Sequence, residues 1–274
     1  MAEEKRTIPD MTALTTLSGD YNIIVHDGNG LKKTPLSKIG ISDGAGAHNA
    51  WYEDAYLGSS VSSDQWAEIK ARRFRGLPVG GYWTINGVTY RIGAFDYLRK
   101  CGDTEITDPH VLIVPDTTMY SAKMNATNIT TGGYQGSQMR TANLAAARTT
   151  IKNAFGAEHI LTYRGYLTNA VSNGRPSGGA WFDCDVELMN EQMVYGGSVV
   201  SPTSDGSTVP ANHRTEKSQL PLFTFRPDLI SNRQWFWLRD VITASNFANV
   251  GSNGDADYNG ASNVAGVRPF FLIY

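Results

Sequence analysis

The sequence predicts an α+β fold, on three observations. Two stretches, 62–76 and 137–155, place apolar residues at helical spacing between start and stop signals. Several short apolar runs alternate with polar residues or end at turn residues, as strands do. Two β-prone ends, Trp235-Phe236-Trp237-Leu238-Arg239-Asp240 and Gly266-Val267-Arg268-Pro269-Phe270-Phe271-Leu272-Ile273-Tyr274, bracket a polar middle.

Taken in order, residues 1–46 read as a separate β-hairpin segment. Tyr21 to His26 is a strand, Asp27-Gly28-Asn29-Gly30 a turn, and Leu31 to Ile39 a returning strand that Pro35 marks as an edge or interrupts. A lone hairpin is marginal in water, so this segment is expected to pack on its own kind or on another protein. An arm lying on the main domain is the alternative. Ser42 to Ala47 is a linker by composition. The main domain, 47–274, begins in earnest near Trp51. Ser62-Ser63-Asp64-Gln65 caps a helix with Trp66, Ile69 and Phe74 on one face, ending at Gly76. Asn86-Gly87 between Gly81 to Ile85 and Val88 to Ile92 is a strong hairpin signal. His110 to Pro115 reads as a buried strand. A second helix over Ser137 to Phe155 buries Leu144, Ala147, Ile151 and Phe155, and Gly156 stops it. Val186 to Tyr195 is apolar enough for the core but ambiguous between strand and helix. Residues 196–219 form a long loop.

Hydrophobic residues make up 41% and charged residues 18%, with formal net charge −2. A near-neutral chain without a basic block gives no electrostatic case for nucleic acid or an anionic membrane. No apolar run is long enough for membrane insertion, and Met-Ala-Glu-Glu-Lys-Arg is no signal peptide. The protein is therefore expected to be made in a cytoplasm. Cys101 and Cys184 could pair, but two cysteines make no disulfide framework, and the favoured reading is two reduced, partly buried thiols without metal-ligand spacing. Asp183 and Asp185 beside Cys184 should raise its pKa. The five histidines are scattered, and no nucleophile elbow, zinc motif or phosphate loop occurs. No enzyme activity, cofactor or metal is expected. Trp235, Trp237, Arg239 and Arg268 read as supporting residues, with the two tryptophans on one face.

The polar middle is unusual. Val241 to Ala265 contains no Lys, Glu, Gln, Met or Trp, although Lys and Glu are common surface residues. Phe247, Val250, Ala256, Ala261 and Val264 read as small or apolar buried points on a fixed backbone. The outward candidates are Ile242, Thr243, Ser245, Asn246, Asn249, Gly251, Ser252, Asn253, Asp255, Asp257, Tyr258, Asn259, Gly260, Ser262, Asn263 and Ala265. Nearly all are types reachable from an asparagine codon by changing its adenines. Tyr258 is a plausible aromatic contact, and Asp255 and Asp257 can accept charge-assisted hydrogen bonds.

The pattern W-x-W-L-R-D…F-A-x-V…G-x-A…A…G-V-R-P-x-F over 235–274 resembles the variable region of diversity-generating retroelement variable proteins. The likeness is looser over 50–234 and weak before that. It implies a C-type lectin-like domain of the formylglycine-generating-enzyme-like subgroup, with the sixteen outward residues as a ligand-binding surface. It further implies a phage or prophage receptor-binding protein, displayed on the virion at the tail tip or capsid. Its partner would be a bacterial cell-surface receptor, protein or glycan. The 1–46 segment, with Gly19-Asp20 before its first strand and Lys32-Lys33-Thr34 in its second, is similar to N-terminal segments of phage fibre and baseplate proteins. It would attach the chain to other virion proteins, and a homotrimer is expected by analogy with fibres. The sugar-binding signatures of calcium-dependent lectins are absent; Arg226-Pro227-Asp228 is nearest and lacks the first ligand. The reactive cysteine pair of formylglycine-generating enzymes lies near the C-terminal core, whereas this chain has no cysteine after 184. A virion decoration protein and an oxidase of that type are the alternatives.

Overall fold

The computed structural model describes the backbone of Asn22–His26 and Leu31–Pro35 and residues 44–202, 218–231 and 233–274 in full. The chain divides into two units, Met1–Ser42 and Asp43–Tyr274. In the first, β1 (Asn22–His26) and β2 (Leu31–Pro35) pair antiparallel, from Asn22 opposite Pro35 to His26 opposite Leu31. The predicted turn at 27–30, Tyr21 and the continuation to Ile39 lie outside the described residues.

In chain order the second unit begins with α1 (Ala45–His48), β3 (Tyr56–Gly58), α2 (Ser63–Lys70), β4 (Tyr82–Ile85), β5 (Val88–Phe95), β6 (Val111–Pro115) and β7 (Tyr120–Lys123). It continues with α3 (Ala145–Phe155), β8 (Tyr163–Ser172), β9 (Arg175–Cys184), β10 (Val186–Leu188), α4 (Glu191–Tyr195) and α5 (Pro221–Phe225). It closes with β11 (Phe236–Val241), β12 (Asn246–Val250), β13 (Ala256–Gly260), β14 (Val264–Val267) and β15 (Pro269–Ile273). The architecture is α+β, mostly sheet with few helices. One sheet has six strands in the order β10-β15-β6-β5-β4-β3, another five in the order β13-β12-β11-β14-β7, and β8 and β9 form a separate ribbon.

Local chemistry explains much of this. Ser62 accepts from Gln65 N–H while the Gln65 side chain accepts from Ser62 N–H, the reciprocal cap that the sequence predicts for α2. The helix stops at Lys70, short of the predicted Gly76, because Arg72 and Phe74 turn to left-handed φ of 57° and 58°. Phe74 is nonetheless buried. Asn86 (φ 50°) and Gly87 (φ 81°) make the tight turn between β4 and β5. A π-helical turn, Met139–Asn143, precedes α3, and Gly156 at φ 87° ends that helix. Phe155 meets the rings of Trp83, Tyr90 and Phe271 edge-on at 6.3, 5.0 and 5.1 Å, so α3 seals one face of the six-stranded sheet.

Four expectations change. The proposed linker over 42–47 runs into α1, held where His48 Nδ1 donates to Leu77 O. The ambiguous stretch 186–195 is both strand and helix, β10 then α4. The ribbon β8–β9 was not predicted. The expected single closing strand is two, because the chain leaves one sheet at Val267 and enters the other at Pro269. Arg268 occupies that crossing, buried, donating from Nε to Pro115 O at 2.8 Å and from Nη1 to Leu229 O at 3.0 Å. Its guanidinium also lies 5.1 Å from the Phe236 ring centroid. Burial pulls its pKa down to about 10, still far above neutrality. Of the loop over 196–219, residues 203–217 lie outside the described residues; its first residues are pinned where Val199, Val200 and Ser201 N–H donate to the buried Glu191 carboxylate.

A charged network joins α3 to β10. Glu187 is fully buried and accepts from Tyr134 O–H at 2.7 Å and Arg140 Nε at 3.1 Å. Beside it, Asp185 accepts from Arg148 Nε at 2.8 Å and Lys152 Nζ at 2.9 Å. Burial works against the Asp185 charge, but the bonds from Lys152 and Arg148 outweigh it and hold the carboxyl below its ordinary range. A depressed carboxylate pKa stabilises the fold above the unfolded-state pKa, and that stability is lost as pH falls through the folded-state pKa. Asp185→Asn is therefore expected to flatten the acid limb of the stability profile and to cost about 1–2 kcal/mol at neutral pH. Urea denaturation between pH 3 and 7 checks this; an unchanged acid limb refutes it.

Candidate functional site

The C-terminal segment is built outward from β11. Five of its six residues are buried, and Trp237 donates from Nε1 to Ala122 O at 2.9 Å. Trp235 and Trp237 lie with ring centroids 6.2 Å apart. β11 pairs antiparallel with β12 and parallel with β14 at Phe236 opposite Gly266. Gly266 is required there: a Cβ would lie 2.9 Å from Thr118 Cβ and 3.0 Å from Trp235 O. The predicted fixed loop is thus largely two strands, β12 and β13, paired from Asn246 opposite Gly260 to Val250 opposite Ala256.

Six of the sixteen candidate residues are exposed: Ser252, Asn253, Asp255, Asp257, Tyr258 and Asn263. Seven more, Ile242, Thr243, Ser245, Asn246, Asn259, Gly260 and Ser262, are half-buried. Several of these are bonded locally. Asn246 Oδ1 accepts from Thr243 Oγ1 and Ser245 Oγ, each at 2.6 Å, which fixes the turn between β11 and β12. Gly260 has little freedom, because a Cβ there would lie 2.7 Å from Asn128 Oδ1.

Asn249, Gly251 and Ala265 do not face outward. Asn249 is 1% exposed, since β12 has a strand on each side and Asn249 stands between Trp237 and Asp257. Gly251 is covered by the Asp255 side chain, and Ala265 is buried opposite Ala122 of β7. Among the expected buried points, Phe247, Val250 and Ala261 are buried, Ala256 is half-buried, and Val264 is 51% exposed. Both amide atoms of Asn249 are buried without a hydrogen-bond partner. An unpaired buried amide destabilises a fold, so Asn249→Val is expected to stabilise the chain by about 1–3 kcal/mol. A lower melting temperature for that variant would refute the assignment.

β13 is the edge of its sheet. Gly251 N–H donates to Asp255 O and Ala261 N–H to Ser245 O, so alternation turns the N–H groups of Tyr258 and Gly260 outward. Each is met by the preceding side chain: Asp257 Oδ1 accepts from Tyr258 N–H at 2.8 Å, and Asn259 Oδ1 from Gly260 N–H at 2.9 Å.

A second wall of the surface escaped the sequence reading. Asn128 Oδ1 accepts from Ser262 N–H and Oγ at 2.9 and 2.8 Å. Thr130 N–H donates to Ala244 O and its hydroxyl to Thr243 O. Asn125 N–H donates to Ala261 O. This loop clasps the open end of the β12–β13 hairpin, where the chain enters β12 and leaves β13, and presents Ile129, 54% exposed, beside it. The tip of the β8–β9 ribbon, at Gly174, also approaches Ala244. Only the run of small polar residues over 125–131 hints at this role in the sequence.

The surface therefore offers amides, hydroxyls and two carboxylates, with Tyr258 (49% exposed) and the unforeseen Ile129 and Val264 as apolar contacts. Such a set can accept and donate hydrogen bonds to a partner. No group of three or more metal-ligating side chains occurs among the described residues. Both cysteines are free and buried. Burial pushes the Cys184 thiol up to about 12, with Glu187 adding to it; Asp183 and Asp185, the neighbours expected to do this, are bonded to arginines instead. Comparison with the models of known families, with curated proteins and with solved structures found no match. No helix among the described residues is long and apolar enough to cross a membrane.

Proposed function

We propose that this chain is a non-enzymatic ligand-binding protein whose C-terminal hairpin was diversified by a retroelement. On this reading residues 47–274 are a C-type lectin-like domain of the formylglycine-generating-enzyme-like subgroup. The protein is carried by a phage or prophage particle, attached through residues 1–46, and recognises a protein or glycan on a bacterial surface. The observation that carries the reading is the division of labour in 235–265. A buried strand fixes the backbone, while short polar side chains and one tyrosine stand out from its hairpin. Exposed positions of that kind accept substitution with little loss of stability. Specificity then changes without refolding, and several weak sites on one particle, as in a homotrimer, bind through avidity.

The test is the DNA flanking the gene. A near-identical copy of the segment encoding 235–274, differing only where the copy has adenine, together with a reverse-transcriptase gene, is the expected finding. Differences clustered at codons 249, 251 and 265 rather than at the exposed positions, or no copy at all, would overturn the proposal.

A further inference from the structure

The loop that clasps the hairpin has a second face. Between it and the π-helical turn before α3 lies an open cleft of about 330 Å³, near the low end of the range of about 300–1,000 Å³ for small-molecule sites. None of the described residues lining it is ionisable. A charged guest would leave water there without a counter-ion, which costs free energy. The polar lining is instead hydroxyl and amide, from Thr127, Thr131, Thr141 and Gln138, all exposed. Thr141 Oγ1 donates to Ser137 O at 2.8 Å, so its lone pairs remain to accept from a guest. Ile129, 54% exposed, is the one large apolar side chain in the lining.

The walls are held in place by the chain itself. Asn125 Oδ1 accepts from Gln138 N–H at 2.8 Å, and Asn125 Nδ2 donates to Ile129 O at 2.7 Å, which ties one wall to the other. Val171 N–H, from β8, donates to Thr131 O at 3.1 Å. On the floor Gly136 N–H donates to Gly132 O at 2.9 Å, and a Cβ on Gly136 would lie 3.0 Å from both Cα and O of Gly132. The floor is therefore bare backbone, with no side chain to fill the cleft. Gln138 caps the π-helical turn and Thr141 lies within it; such turns are rare and frequent at functional sites.

A guest that suits this lining is uncharged, small, rich in hydroxyls, and carries an apolar group for Ile129. We infer that the cleft binds one neutral acetamido sugar residue. Its methyl group packs on Ile129, and its amide and hydroxyls bond to the Gln138 amide and the threonine hydroxyls. The cleft lies wholly outside residues 235–274, so the assignment is independent of whether the hairpin was diversified.

Saturation-transfer NMR on the full chain with N-acetylglucosamine and N-acetylgalactosamine tests this, with glucosamine below pH 7 as the cationic comparator. At least one acetamido sugar is expected to receive saturation, most strongly at its methyl group, and glucosamine about fivefold less or lower still. Ile129→Ser and Gln138→Ala alter exposed side chains, so both should fold and melt like the wild type. Each is expected to raise the half-saturating sugar concentration about fivefold. No saturation of either acetamido sugar, equal saturation of glucosamine, or binding undiminished in both variants would sink the assignment.

Discussion

Replacing Glu187 by leucine is expected to destabilise the domain by about 3–5 kcal/mol, because it removes one side of a buried charged network and leaves the other. Tyr134 would lose the acceptor for its hydroxyl, and Arg140 the carboxylate 3.1 Å from its Nε. Arg148, 3.7 Å from the same carboxylate, keeps Asp185 and is less affected. The Tyr134 hydroxyl oxygen also accepts from Leu188 N–H at 3.1 Å, so the loss extends into β10. Glu187→Gln keeps an acceptor in place and should lose less. Denaturant titration of both variants separates the cases; a leucine variant within 1 kcal/mol of wild type would show the network to be dispensable.

The second large effect is expected beneath the proposed recognition surface. Trp237→Ala removes one of the largest fully buried side chains and its bond to Ala122 O. A loss of about 3–5 kcal/mol is expected from the cavity and the lost burial. Tyr258→Ala, on the exposed edge, should change stability by no more than about 0.5 kcal/mol. The contrast matters more than either value. If residues 235–241 support the surface and the hairpin presents it, the two variants must differ by several kcal/mol in chemical denaturation. Similar losses from both would mean that Tyr258 also holds the fold together.

The legible parts of the chain were those where local chemistry decides the outcome. Ser62 and Gln65 announce a reciprocal cap, and Asn86-Gly87 announces a turn, because each works within a few residues. The end of α2 was not legible, since nothing in Arg72 or Phe74 signals a left-handed backbone. Asn173-Gly174 did carry a turn signal, with φ of 51° and 70°, but the strands around it are rich in Gly, Ala, Ser and Thr and lack a clean apolar alternation. The candidate surface was legible as a segment and not as a register. Asn, Asp and Gly are poor strand formers, and β12 is a strand because β11 and β13 flank it on both sides. That placement buries Asn249, while Val264, at the start of β14, stands in solvent; both are the reverse of what polarity alone predicts.

The two side chains that meet the outward N–H groups of β13 have a meaning for how many such molecules coexist. An open strand edge invites another chain to add to the sheet, and native proteins blunt their edges to avoid it. Here the blunting is done by Asp257 and Asn259, which stand among the positions proposed to vary. Serine, threonine, asparagine or aspartate there can keep an oxygen over the amide, whereas alanine, glycine, valine or isoleucine uncover it. On the proposed reading, crowding many copies side by side would set a limit on diversity that has nothing to do with the ligand: variants would be filtered by self-adhesion as well as by recognition.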